Sequence, residues 1–115
     1  MPRLILAPAL IAVAALLAGC GAPSGRAIEF TASEQACAPA AATAAPGERL
    51  VLQVANESKG DRELEGIDGT RFEEVVIPAG KVRRMAFTMP ESGAARFKCY
   101  APGGAATVIE IAPAR

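Results

Sequence analysis

The chain has 115 residues, with 12 Lys and Arg balanced by 12 Asp and Glu, no histidine and no tryptophan. Zero net charge argues against nucleic acid as a partner and against a polybasic membrane patch, and 4 Phe with 1 Tyr make no base-stacking platform. Without histidine the usual general base is missing, and no Ser or Thr has an activating partner at a recognisable spacing, so the chain is not expected to be an enzyme.

Met1 to Leu17 places Arg3 ahead of an apolar run, LILAPALIAVAALLA, with the length and flanks of a secretory h-region rather than a membrane-spanning helix. Pro8 inside the run argues the same way. The run ends in Leu17-Ala18-Gly19-Cys20, which resembles the lipobox of bacterial lipoproteins, where small residues fit the peptidase groove and the cysteine is acylated. The alternative is an ordinary signal peptide with a chance cysteine. Residues 1–19 therefore read as a lipoprotein signal peptide, 20–26 as a lipidated tether rich in Gly and Pro, and 27–115 as the folded domain. Acyl chains on Cys20 would anchor the exported protein to the bacterial cell envelope, facing the periplasm or the exterior.

The domain reads as strands in chain order. Ile28, Phe30 and Ala32 alternate with Ala27, Glu29 and Thr31, the period of a half-buried strand. Glu48 to Asn56 follows a Pro46-Gly47 turn and is rich in Leu and Val, as a more deeply buried strand should be. Arg62 to Ile67 is a short strand, and Thr70 to Ile77 a longer one that leads to Pro78-Ala79-Gly80. Lys81 to Met89 puts Met85, Phe87 and Met89 on one face as core residues, while Arg83-Arg84 breaks the alternation and predicts a bulge. Ala94 to Tyr100 sets Ala95, Phe97 and Cys99 on one side and Arg96, Lys98 and Tyr100 on the other. Ala106 to Ile111 closes the series. The run Ala40 to Ala45 favours helix by propensity, but Pro39 and Pro46 leave it too short to form one. The fold class expected is all-β, a small antiparallel Greek-key sandwich.

A domain of this size buries only about 60 to 65 per cent of its unfolded surface, so a staple is expected. In an exported domain Cys37 and Cys99 most simply form a disulfide. A loop of about 60 residues closed this way is worth around 4 kcal/mol on the chain-entropy scale. Reduced, the same thiols would join carboxylates as ligands for Cu(II) or Zn(II).

The order of a strand, Cys37-Ala38-Pro39, APGERLVLQVAN, RELEG, VVIPAG, a strand and ARFKCYAPG resembles a cupredoxin domain from Ile28 to Ile111. Blue-copper members ligate copper with His, Cys, His and a weak axial Met. Cys99 matches the family cysteine, but Arg62 stands at the place of the first histidine, and YAPGGAATV supplies neither the second histidine nor the methionine. Arginine stays protonated and cannot ligate, so a type 1 copper site is not expected. The sequence is also similar to the histidine-poor cupredoxin-like domain of EfeO-type periplasmic iron-uptake proteins. It shares with that domain the early Cys37-Ala38-Pro39, Glu63-Leu64-Glu65, the pair Glu73-Glu74 and the late Cys99. The separate helical domain that usually follows in those proteins is not seen before Arg115.

That resemblance implies one metal ion, Fe(III) or Cu(II), on a set drawn from Cys37, Glu63, Glu65, Glu73, Glu74 and Cys99. It also implies a metal-uptake permease or a periplasmic protein as partner. A solvated strand face is the plainer reading of the glutamates, and Arg62 is expected to partner a neighbouring acid at the rim, a pair worth less than about 1 kcal/mol if exposed. Two functions stand side by side: a lipid-anchored metal-binding accessory of envelope metal uptake, or a metal-free, disulfide-stapled sandwich used as a protein-interaction scaffold.

Overall fold

Strand β1 (Arg26–Ala32) buries Ile28, Phe30 and Ala32 and turns Ala27, Glu29 and Thr31 to solvent, the period of two written in its sequence. The computed structural model describes residues 23–114; the expected signal peptide, Cys20 and the first residues of the expected tether lie outside them. Within these residues β1 is followed by β2 (Cys37–Ala38), β3 (Ala41–Ala44), β4 (Arg49–Asn56), β5 (Arg62–Ile67), β6 (Val75–Ile77), β7 (Val82–Thr88), β8 (Ala95–Tyr100) and β9 (Ala106–Pro113).

A four-stranded sheet in the order β2-β1-β4-β7 faces a five-stranded sheet in the order β3-β9-β8-β5-β6. Phe30, Leu50, Leu52, Val54, Leu64, Ile77, Met89, Phe97, Ile109 and Ile111 fill the space between them, with Met85 packed at the margin. Most ladders are antiparallel as expected, but β1 pairs parallel with β4, and β3 parallel with β9. The chain between β1 and β4 crosses to the other sheet and back, and it exceeds the dozen or so residues that a parallel return needs.

The alanine-rich run becomes an edge strand because β9 offers it a backbone ladder while Ala42 and Ala44 turn to the core. Tertiary pairing overrides its helical propensity.

Two expectations are corrected. No bulge interrupts β7: its ladder to β4 runs unbroken from Arg49–Thr88 to Ala55–Val82. Arg83 has the inward parity of Met85 and Phe87 but lies exposed at the open margin of an edge strand, a placement that discourages edge-to-edge pairing.

The strand expected over Thr70 to Ile77 shrinks to Val75–Ile77. Asp68 and Gly69 are both left-handed, with φ of 53° and 82°. The Thr70 N–H donates to the Ile67 carbonyl at 3.0 Å and closes that turn. The turn folds the chain back across Gly66, where a Cβ would stand 2.5 Å from the Thr70 carbonyl oxygen. This path delivers Phe72 to the core, edge-on to Phe97 at 5.3 Å and to Phe87 at 6.2 Å between ring centroids.

Candidate functional site

Cys99 lies on the inner face of β8, opposite Leu64, and Cys37 opens β2 at the edge of the other sheet. The two are joined as a disulfide with 6.3 Å between their Cα atoms, and they are 2 and 4% exposed. The bond ties one sheet to the other across a sequence separation of 62. The disulfide pairing expected in an exported domain is therefore present, and neither sulfur is a free thiolate.

Arg62 begins β5 with the inward parity of Leu64 and is only 8% exposed, so it meets the acid expected beside it, Glu34, from a buried stem. Its stem lies within the protein and its head reaches loop carbonyls. Nη1 donates to the Asp61 carbonyl at 3.1 Å and Nη2 to the Ser33 carbonyl at 3.3 Å, with the Glu34 carboxylate 3.9 Å away. Beside it, buried Asn56 organises the β4–β5 loop. Its amide donates to the carbonyls of Gly60 and Ile77, and its oxygen accepts the Ser58 N–H and hydroxyl. Between the disulfide, Arg62 and Thr107 remains a cavity of about 10 Å³, at most the size of one water. Thr107 Oγ1 accepts the Cys37 N–H at 3.0 Å.

The residues at this end do not fit type 1 copper. The cysteine that the resemblance gives as the sulfur ligand is consumed in the disulfide, the place that it gives the first histidine holds the permanent cation of Arg62, and Ala101 to Ala105 offers only Ala, Pro and Gly side chains.

The outer face of the same two strands is different in kind. Parity turns Glu63 and Glu65 outward, and register sets Tyr100 opposite Glu63 and Lys98 opposite Glu65. The Tyr100 hydroxyl donates to Glu65 Oε2 at 3.1 Å. Lys98 Nζ stands 4.5 Å from the centre of the Tyr100 ring. Glu74, just before β6, comes alongside them. Loss of water raises its carboxyl above the usual range, and the negative charge of Glu63 and hydrogen bonding to it raise it further. The Tyr100 phenol is pushed up by the same loss of water and by Glu63 and Glu65.

The six candidate ligands are thus divided. Glu63, Glu65 and Glu74 share one face around Tyr100, while Glu73 is exposed. Cys37 and Cys99 lie on the other side of the sheet, so the fold does not bring the sulfurs and these carboxylates together: the period of two puts residues 99 and 100 on opposite faces. Among the described residues no three His, Cys, Asp or Glu side chains form a ready-made metal cage. Tyr100 is the oxygen that sequence reasoning missed. Its shared face with Glu63 follows from the β5–β8 register, a non-local pairing.

No protein-family model matches the chain, and no curated protein matches it. Solved structures do. Auracyanin A, a blue copper protein from the green thermophilic photosynthetic bacterium Chloroflexus aurantiacus, superposes with a TM-score of 0.66 at 14% identity, over 79% of this chain and 100% of its own. Na-dithionite-reduced auracyanin from Roseiflexus castenholzii gives 0.61 at 18% identity, over 80 and 100%. The Cu-containing nitrite reductase from Thermus scotoductus SA-01 gives 0.59 at 13% identity, over 80% of this chain and 28% of that one. At these identities the likeness speaks for architecture alone, and in architecture the chain is a cupredoxin-fold β-sandwich.

Proposed function

We propose that this protein is an exported, lipid-anchored, non-enzymatic module that captures a metal ion as cargo and hands it to an envelope uptake permease or a periplasmic partner. The reading rests on one observation: Glu63, Glu65 and Glu74 share an outward face with the Tyr100 hydroxyl. Carboxylate and phenolate oxygens are hard donors, so Fe(III) suits them better than Cu(II) while the cysteines stay oxidised. The crowding that raises Glu74 is relieved by a bound cation, so binding should release protons and weaken as the pH falls into the carboxylate range. The similarity to EfeO-type iron-uptake proteins supports the cargo, and Leu17-Ala18-Gly19-Cys20 supports the anchor.

The buried disulfide favours a second reading, a metal-free scaffold, because it closes the end where blue-copper relatives would hold their metal. Calorimetric titration of the oxidised protein with ferric citrate and with Cu(II) separates the two. The cargo reading expects Fe(III) binding tighter than millimolar, weakened about tenfold or more by Glu63→Gln or Glu74→Gln. No binding of either ion tighter than millimolar would leave the scaffold reading standing.

A further inference from the structure

We infer that the end of the sandwich opposite the disulfide holds a binding pocket for a small organic carboxylate with an apolar arm. Register defines the two ends: Ile67, Thr88 and Ala95 finish their strands at one, and Arg62, Val82 and Tyr100 at the other. At the first end a cavity of about 320 Å³ opens between the Asp68-Gly69 turn and the β7–β8 connection. That volume is at the lower end of what small-ligand sites occupy, roughly 300 to 1,000 Å³. Phe87 forms its apolar floor and Pro90 part of the wall, while Asp68, Arg71, Thr88 and Ser92 supply the polar groups.

Charge decides what the pocket would take. The Asp68 carboxylate is held by Arg96 at 3.0 Å, and Arg96 also reaches Glu110 at 3.7 Å. Among the described residues Arg71 forms no ion pair and no side-chain hydrogen bond, and neither does the Ser92 hydroxyl. The pocket therefore combines an uncommitted guanidinium fork with a hydroxyl and an aromatic floor. A guanidinium fork matches a carboxylate through paired N–H donors, and Phe87 in the lining offers apolar surface to a ring or a branched chain. The Glu63 face shares no residue with this pocket and centres on Tyr100 at the other end of β8, so the pocket stands or falls independently of metal capture.

Benzoate is the probe, titrated into the isotope-labelled, purified protein and followed through its amide resonances. The expected result is saturable shifts confined to residues 68–72 and 87–94. Benzyl alcohol, which keeps the ring and lacks the carboxylate, should bind about tenfold more weakly or worse. Arg71→Gln should lose about tenfold or more in benzoate affinity, Arg71→Lys should keep part of it, and Arg84→Gln, which lies outside the pocket lining on β7 and bonds Gln53, should match wild type. Shifts that do not saturate or that scatter over the surface would overturn the proposal, and so would an Arg71→Gln variant that binds benzoate like wild type.

Discussion

Cys99 and Tyr100 are neighbours in the chain, yet one is locked into a covalent bond inside the sandwich and the other stands among three carboxylates outside it. Behind β8, the disulfide, the Arg62 guanidinium and the Asn56 loop leave a void no larger than one water. In front of it, loss of water and then the charge of Glu63 raise Glu74. The comparison teaches that one strand of this sandwich can give its inner face to a covalent staple and its outer face to a cluster of oxygens. Oxygen chemistry, where it exists, is then left to the opposite face of the same strands.

Breaking the inner face should cost stability without touching the outer one. Cys37→Ser with Cys99→Ser is expected to lose about 4 kcal/mol in denaturant unfolding, from release of a long loop in the unfolded chain. Under folding conditions its Fe(III) affinity should equal that of wild type; a parallel loss of metal binding would show that the two faces are not separate. Arg62→Met removes the donors to the Ser33 and Asp61 carbonyls and should cost about 1–3 kcal/mol in the same assay. It too should leave the iron titration unchanged.

The outer face should behave in the opposite sense. Glu74 has its folded pKa raised, so the folded state holds its proton more tightly than the unfolded chain does. The contribution of Glu74 to stability is therefore full below the ordinary carboxylate pKa and is lost as the pH rises through the raised value. Glu74→Gln should flatten that decline and slightly raise the melting temperature at neutral pH in the absence of metal. A melting temperature that drops at neutral pH would mean that ionised Glu74 is held by a favourable partner instead. Glu48 provides the internal contrast: its hydrogen bond with Arg26 lowers its pKa, so its contribution is present at neutral pH and lost in acid.

Much of this architecture is legible in the sequence because it is local. The alternation in Ala95 to Tyr100 announces which residues face inward, and the Pro/Gly turns mark most strand boundaries. The parts that were not legible depend on pairing between distant segments. Thr70 to Glu74 has strand composition, but a turn at Asp68-Gly69 and the close approach at Gly66 divert it so that Phe72 can fill the core. Arg62 looks like a surface charge until β5 parity and the Ser33 carbonyl draw it inside. The carboxylate set divides in the same way: Glu63 and Glu65 meet Tyr100 because β5 pairs with β8 in this register, and Glu74 joins them because β6 pairs with the other edge of β5.

The central claim, that hard oxygens on the outer face carry the ion, is tested most directly by visible absorption during ferric citrate titration of the oxidised protein. Iron held beside Tyr100 should draw the proton from the phenol, whose pKa is otherwise raised, and give a phenolate-to-iron charge-transfer band. The band should be absent in Tyr100→Phe and reduced in Glu63→Gln, and it should survive Cys37→Ser with Cys99→Ser. A wild-type protein that binds iron without such a band, or a band that persists in Tyr100→Phe, would contradict the account.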